Sequence, residues 1–431
     1  MMIAMRETLL SALFAVAFLA ACDNNPPPPP PGDAGVDSGR RDAGPFDAGP
    51  PPDGAMLDAV VDRDARPFVD GGVPVCVVSP ADIHKLSAGT MGGDRIVGFA
   101  AGGDSFGVVW HETRDPQPDI FAIRLDVASG LGAEQRVTDQ FSRERPPSLV
   151  AAGSRWIASW VDNEGSVGFD LRTQLLNADL SPSGSANAIT ATDALVEDNP
   201  TLVNVATGPM LFWVEDDMGA STRTARALQL NVDGTSRGTQ QTASSAGSRP
   251  GQLAAGELTD GPVLLWTEVN LLMQPLSSVG ALRGASSTVS VESNVDGTVD
   301  AALGVDGGAV VFGVAVGGVR SEIRFRALSS TGAFVGDERS LVSPPVTARD
   351  PSITAFAGGY AISYRADPMD GMGLRIFVML VDAIGNTLDS IEVGPAAAGG
   401  GRTTIRATGT GQLGIAWADQ QTGGIDINVA L

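Results

Sequence analysis

The chain has 431 residues, with 28 Lys plus Arg against 50 Asp plus Glu, and a formal net charge of −22 at pH 7. So acidic a surface repels nucleic acid and anionic lipid, and neither is a default partner. Two His and two Cys leave little room for a His/Cys zinc site and none for a disulfide framework, while 54 Gly with 5% aromatic residues points to short strands and turns rather than packed helices.

The N-terminus carries the address. Arg6 precedes an apolar run from Leu9 to Ala21, which is shorter than the ~20 residues a spanning helix needs and so reads as a secretory signal over residues 1–21. The run ends Leu19-Ala20-Ala21-Cys22, which resembles the lipobox of bacterial lipoproteins. That resemblance implies a diacylglycerol on the Cys22 sulfur, cleavage before Cys22, and anchoring in the cell envelope. Inner and outer membrane both stay open, with the globular part in the periplasm or at the cell surface. Acyl chains contribute ~0.8 kcal/mol per buried methylene, so two chains hold a protein stably on a membrane.

Residues 22–74 form an acidic linker. It opens with Pro26–Pro31 and continues through Asp-Ala-Gly pieces, with ten Asp and four Arg between Asp23 and Gly72. Too few large apolar side chains are present to offset the entropy of ordering, so the segment is expected to be a disordered, proline-stiffened stalk.

Residues 75–431 carry a repeat. An aromatic residue closes a short apolar strand at Trp110, Trp160, Trp213, Trp266, Phe312, Tyr364 and Trp417, at intervals of 46 to 53 residues. A second marker keeps register with it: LNADLSPSG from Leu176, LNVDGTSRG from Leu230, LSSVGALRG from Leu276 and LSSTGAFVG from Leu328 share Leu at the first and Gly at the ninth position. Three carry Gly at the fifth position, as does VDAIGNTLD from Val381, where a tight hairpin needs positive φ.

Four strands fit each unit: a small-residue strand such as Ser148–Ala152, a second ending on the aromatic, a third ending at the hairpin, and a polar outer strand such as Ser185–Ala191. Seven units of about fifty residues predict an all-β fold, a seven-bladed β-propeller of four-stranded antiparallel blades over residues 75–431. The seventh unit stops at its third strand, Ile425–Val429, and the Ile83–Ala88 stretch lies where it can supply the missing fourth. Unit five is the most degenerate. The repeat resembles WD40 propellers in unit size only. It lacks their Trp-Asp and Gly-His signatures and the Asp boxes of sialidases, so no catalytic residue is carried over.

Two residues after the aromatic stands an acid in five units, Glu112, Asp162, Glu215, Glu268 and Asp419, and Asp367 follows Tyr364 by three. The topology puts all six on one face, together with Arg145, Arg249, Arg349 and Arg402, which stand in loops leading into first strands. This ring is either a binding face for a cation, sugar or basic partner, or a set of structural acids that pair with Arg or cap turns. His84 and His111 find no catalytic partner in the sequence, and Val neighbours mark Cys76 as a buried thiol. Neither a cofactor nor a metal motif is present. The expected role is a monomeric, lipid-anchored, non-catalytic binding or scaffolding module for a protein or glycan. Its alternatives are a glycan-active enzyme and a structural envelope component without a small ligand.

Overall fold

The hairpin glycines do what their positions demand. Gly234, Gly280, Gly332 and Gly385 take φ of 81°, 87°, 80° and 84°. Leu180, at the matching place in the second unit, takes φ 67° without that freedom, because its side chain is fully buried against Trp156 and Trp160. The computed structural model describes residues 83–86 and, from 97 onward, all but 113–118, 140–144, 164–168, 192–194, 218, 291, 293, 317–319, 344–345, 397–401 and 422–423. The signal at 1–21, the linker at 22–74, Cys22 and Cys76 lie outside the described residues.

Among the described residues every regular element is a strand, and the strands form seven antiparallel sheets in chain order. Blade 1 runs Val97–Gly102, Ser105–Glu112 and Asp119–Asp126, with two short outer pieces, Gly130–Leu131 and Gln135–Arg136. Blade 2 is Arg145–Ala152, Arg155–Asp162, Asp170–Leu176 and Asn187–Ala188. Blade 3 is Val196–Val205, Gly208–Asp217, Thr222–Leu230 and Ser236–Thr242, and blade 4 is Leu253–Leu258, Gly261–Thr267, Leu271–Pro275 and Ser287–Thr288. Blade 5 is Val295–Gly304, Gly307–Val316, Arg320–Ser329 and Phe334–Val342, and blade 6 is Thr347–Phe356, Gly359–Asp367, Arg375–Asp382 and Thr387–Pro395.

Blade 7 closes the ring. Thr404–Ala407, Leu413–Gln421 and Gly424–Ala430 receive Ile83–Lys85 as their outer strand, with His84 opposite Val429. Closure by the N-terminal strand removes the free edge that Gly424–Ala430 would otherwise expose. The outer strands are where sequence and structure part. The second unit's outer strand shrinks to Asn187–Ala188, since polar side chains on a solvated edge gain little from pairing. The degenerate fifth unit builds four long strands, because the β-branched Val310, Val311 and Val314 surround a fully buried Phe312 along its second strand.

Burial is organised by blade interface. Seven apolar clusters are found among the described residues, and each spans two adjacent blades, including one that joins blade 7 (Ala416, Ala418, Val429) to blade 1 (Phe106, Trp110). Trp110, Trp213, Trp266 and Trp417 are among the largest fully buried side chains. Each sheet therefore has two apolar faces, and the ring holds because no face is left uncovered.

Candidate functional site

Seven first strands ring the axis, and each is in contact with the next. Their inner edges have no pairing strand, so backbone N–H groups there need other acceptors. Side chains of the preceding blade supply them. Leu202 N donates to Ser148 Oγ at 3.0 Å, Ile353 N to Asp300 Oδ2 at 3.1 Å, and Ile405 N to Ser352 Oγ at 3.2 Å. Two residues further along, Ala407 N donates to Thr354 Oγ1 at 3.2 Å, and Asn204 Nδ2 donates to the Ala151 carbonyl at 2.7 Å. The first strands are thus laced together one repeat apart.

They enclose a channel of about 870 Å³ that all seven blades line, a volume within the range of small-ligand pockets. Its wall is not sevenfold. Blades 1 and 4 present Gly98, Ala100, Ala254 and Gly256, blade 3 presents Asp198, Asn199, Thr201 and Asn204, and blades 5 to 7 present Asp300, Ser352, Thr403, Arg402 and Arg406, so that both arginines of the wall come from blade 7. Asp300 is engaged: its Oδ2 accepts from Ser352 Oγ at 2.6 Å and pairs with Arg406 Nη1 at 3.3 Å. Arg406 Nη1 also donates to the Ile405 carbonyl at 2.7 Å. Arg402 is half-buried on the wall, and burial pushes its guanidinium below the ordinary value, while Asp350, Asp300 and Asp296 pull it back up.

The six acids singled out in the sequence sit one strand further out, within two residues of the ends of the second strands, and none of them is among the described residues that line the channel. The structure does not pool them. Glu112 Oε2 accepts the Trp110 indole N–H at 3.0 Å, and Glu268 Oε1 accepts the Trp266 indole N–H at 3.0 Å and the Arg249 backbone N–H at 2.5 Å. Glu215 instead takes Arg226 in a forked contact at 2.6 and 3.1 Å, and Asp162 takes Arg172 at 3.2 Å. Asp367 caps its own turn through the Met369 N–H at 2.8 Å. Asp419 lies opposite Asp426 in the register of blade 7.

The cross-strand neighbour of the aromatic decides which of these happens. Phe121 and Leu272 stand opposite Trp110 and Trp266, so there the indole is the acid's polar neighbour. Arg172 and Arg226 stand opposite Trp160 and Trp213 and draw the acid to themselves, and the indole nitrogens of those two tryptophans have no hydrogen-bond partner among the described residues. A charged donor outcompetes a neutral one for the same carboxylate.

The channel residues escaped sequence reasoning, although one signal was present: Asp300 occupies the place that Ser148 and Ser352 hold in their units. No group of His, Cys, Asp and Glu that could hold a metal occurs among the described residues. No protein-family model matches the chain, and no curated protein is similar to it in sequence. Similar solved structures include the subtype N10 neuraminidase-like protein of A/little yellow-shouldered bat/Guatemala, at 9% identity and TM-score 0.41 over 82% of this chain and 98% of that one. An endo-arabinase from Bacteroides thetaiotaomicron is similar at 12% identity and TM-score 0.37, over 73% of this chain and 100% of the other. A europium-containing methanol dehydrogenase is similar at 12% identity and TM-score 0.43, over 78% and 81%. At such identities and scores these likenesses carry no activity over to this chain.

Proposed function

We propose that the chain is an exported, lipid-anchored binding module of a bacterial cell envelope, whose propeller takes a glycan-sized ligand at its central channel. One observation carries the reading: the channel wall breaks the symmetry of the repeat, with both of its arginines, Arg402 and Arg406, on blade 7 and small residues such as Gly98, Ala100, Ala254 and Gly256 on blades 1 and 4. A position that recurs in every blade serves the architecture. A wall that differs between blades can recognise an asymmetric ligand. Anchoring rests on Leu19-Ala20-Ala21-Cys22, and the acidic linker would hold the propeller away from the lipid surface.

Glycan cleavage would require a general acid and a base facing one another. Of the three carboxylates that line the channel, Asp300 is committed to Ser352, Ile353 and Arg406, Asp198 accepts the Asn199 N–H at 2.9 Å, and Asp306 sits apart in the hairpin after the first strand of blade 5, which favours binding over chemistry. The test is hydrogen exchange on the full chain with and without a panel of oligosaccharides. Binding at the channel slows exchange in Val196–Val205, Thr347–Phe356 and Thr404–Ala407. Protection confined to outer strands, or the appearance of cleaved sugar, would count against the proposal. Anchoring is checked separately by fatty-acid labelling, which Cys22→Ala should abolish.

A further inference from the structure

Arginine in this acidic protein is mostly spent on carboxylates. Arg124, Arg172, Arg226, Arg324, Arg365 and Arg406 each hold one within 4 Å. Others hold none, and of these Arg249, Arg349 and Arg402 make no side-chain hydrogen bond or ion pair with the described residues and stand together where the chain approaches or begins a first strand, on the face where those strands start. Arg249 and Arg349 are exposed, and Arg402 is half-buried on the channel wall.

The carboxylates nearest Arg402 are engaged by other groups. Asp350 is held by Arg365 Nε at 2.8 Å, and Asp300 by Arg406 and Ser352. Asp296 accepts from Thr298 N and Oγ1 at 3.0 and 2.6 Å and packs over the Gly313 backbone. A guanidinium beside an enclosed space, with its near carboxylates taken, is a donor fork without an acceptor.

We propose that the mouth of the channel binds a monoanionic, carboxylate-bearing small molecule, with Arg402 as its anchor and Arg349 and Arg249 drawing it in from the rim. This rests on the channel being the ligand site. Two facts set the charge of the ligand. A planar carboxylate matches the guanidinium fork, and Asp296, Asp300 and Asp350 close to Arg402 repel a dianion more than a monoanion. The hydroxyls of Ser352 and Thr403 beside it, and the amides of Asn199, Asn204 and Gln252 on blades 3 and 4, would serve the neutral part of the molecule.

The test uses the full chain in detergent and four sugars of one skeleton: glucuronate, glucose, glucosamine and glucose 6-phosphate. Saturation-transfer NMR reads affinity, and hydrogen exchange reads location. Glucuronate should bind, protect the first strands, and weaken as salt rises from 50 to 300 mM. Arg402→Gln should weaken it at least tenfold, Arg402→Lys less, and Arg349→Gln two- to fivefold. Arg155→Gln, an exposed arginine on the opposite face, should change nothing. If Arg402→Gln fails to fold, the Arg402→Lys and Arg349→Gln results decide. Glucose or glucosamine binding as well as glucuronate, or Arg402→Gln without effect, would overturn the anion site while leaving a channel that binds. Tighter binding of glucose 6-phosphate would overturn the monoanion assignment. No first-strand protection by any of the four would overturn this inference, whereas protection by an uncharged oligosaccharide would still support the channel as a site.

Discussion

Glu197 gives the sharpest quantitative expectation. It lies at the start of the first strand of blade 3, fully buried, with its N–H donated to the Phe169 carbonyl of blade 2 at 3.2 Å and Glu215 opposite it in register. Desolvation is the main cause that pushes its carboxyl from 4.5 up to about 7, helped by the charges of Asp170 and Glu215 and opposed by its own backbone N–H and the Thr190 hydroxyl. A raised folded value means that the folded state holds the proton more tightly than the unfolded chain. The contribution is therefore fully present below pH 4.5 and is lost as pH rises through 7. The gap between 4.5 and about 7 corresponds to ~3 kcal/mol at 1.36 kcal/mol per pH unit.

Glu197→Gln mimics the protonated carboxyl. It should match the parent near pH 4 and exceed it near pH 8 by up to ~3 kcal/mol, or about 4 °C in melting temperature for a domain of this size. Calorimetry across pH 4 to 8 measures it. A shift of equal size at every pH would refute the argument, because it would show that packing rather than ionisation distinguishes the two side chains.

Three further outcomes follow from geometry. Arg226→Leu should release Glu215 to the Trp213 indole, as Glu268 is bound to Trp266 opposite Leu272; stability should change by about 1 kcal/mol or less, and exchange of the indole proton, followed by NMR, should slow. An unchanged indole signal would sink the competition argument. Gly256→Val should cost ~1–3 kcal/mol in denaturant unfolding, since a Cβ there would meet the Leu303 Cβ of blade 5 at 2.8 Å; a neutral result would mean that the blades can part. Removing residues 1–86 should lower the melting temperature and promote association, because Gly424–Ala430 loses its partner strand. Light scattering that stays monomeric would count against the closing role of Ile83–Lys85.

How far the repeat could be read is clear at particular residues. Trp110, Trp213 and Trp266 marked the buried ends of second strands, and Gly234, Gly280 and Gly332 marked hairpins, because strand alternation and positive φ are local requirements. The Ile83 closure was legible too, by counting strands. The acids Glu112 and Glu215 were equally visible, yet their different partners were not. Those partners depend on whether Phe121 or Arg226 stands across the sheet, and register assigns that neighbour. Outer strands were misjudged for the same reason, as their length depends on what their solvated edge gains.

The all-β class, the seven blades and the strand order within each blade were written in the sequence, since each follows from a period along one chain. The meeting of Asp300, Ser352, Arg402 and Arg406 on one wall emerges only in the folded ring, as does the lack of an ion pair between Arg402 and any carboxylate among the described residues. Asp300, Ser352 and the Arg402/Arg406 pair lie about one repeat apart in turn. Their meeting comes from the packing of consecutive blades around the axis, and no local rule encodes it.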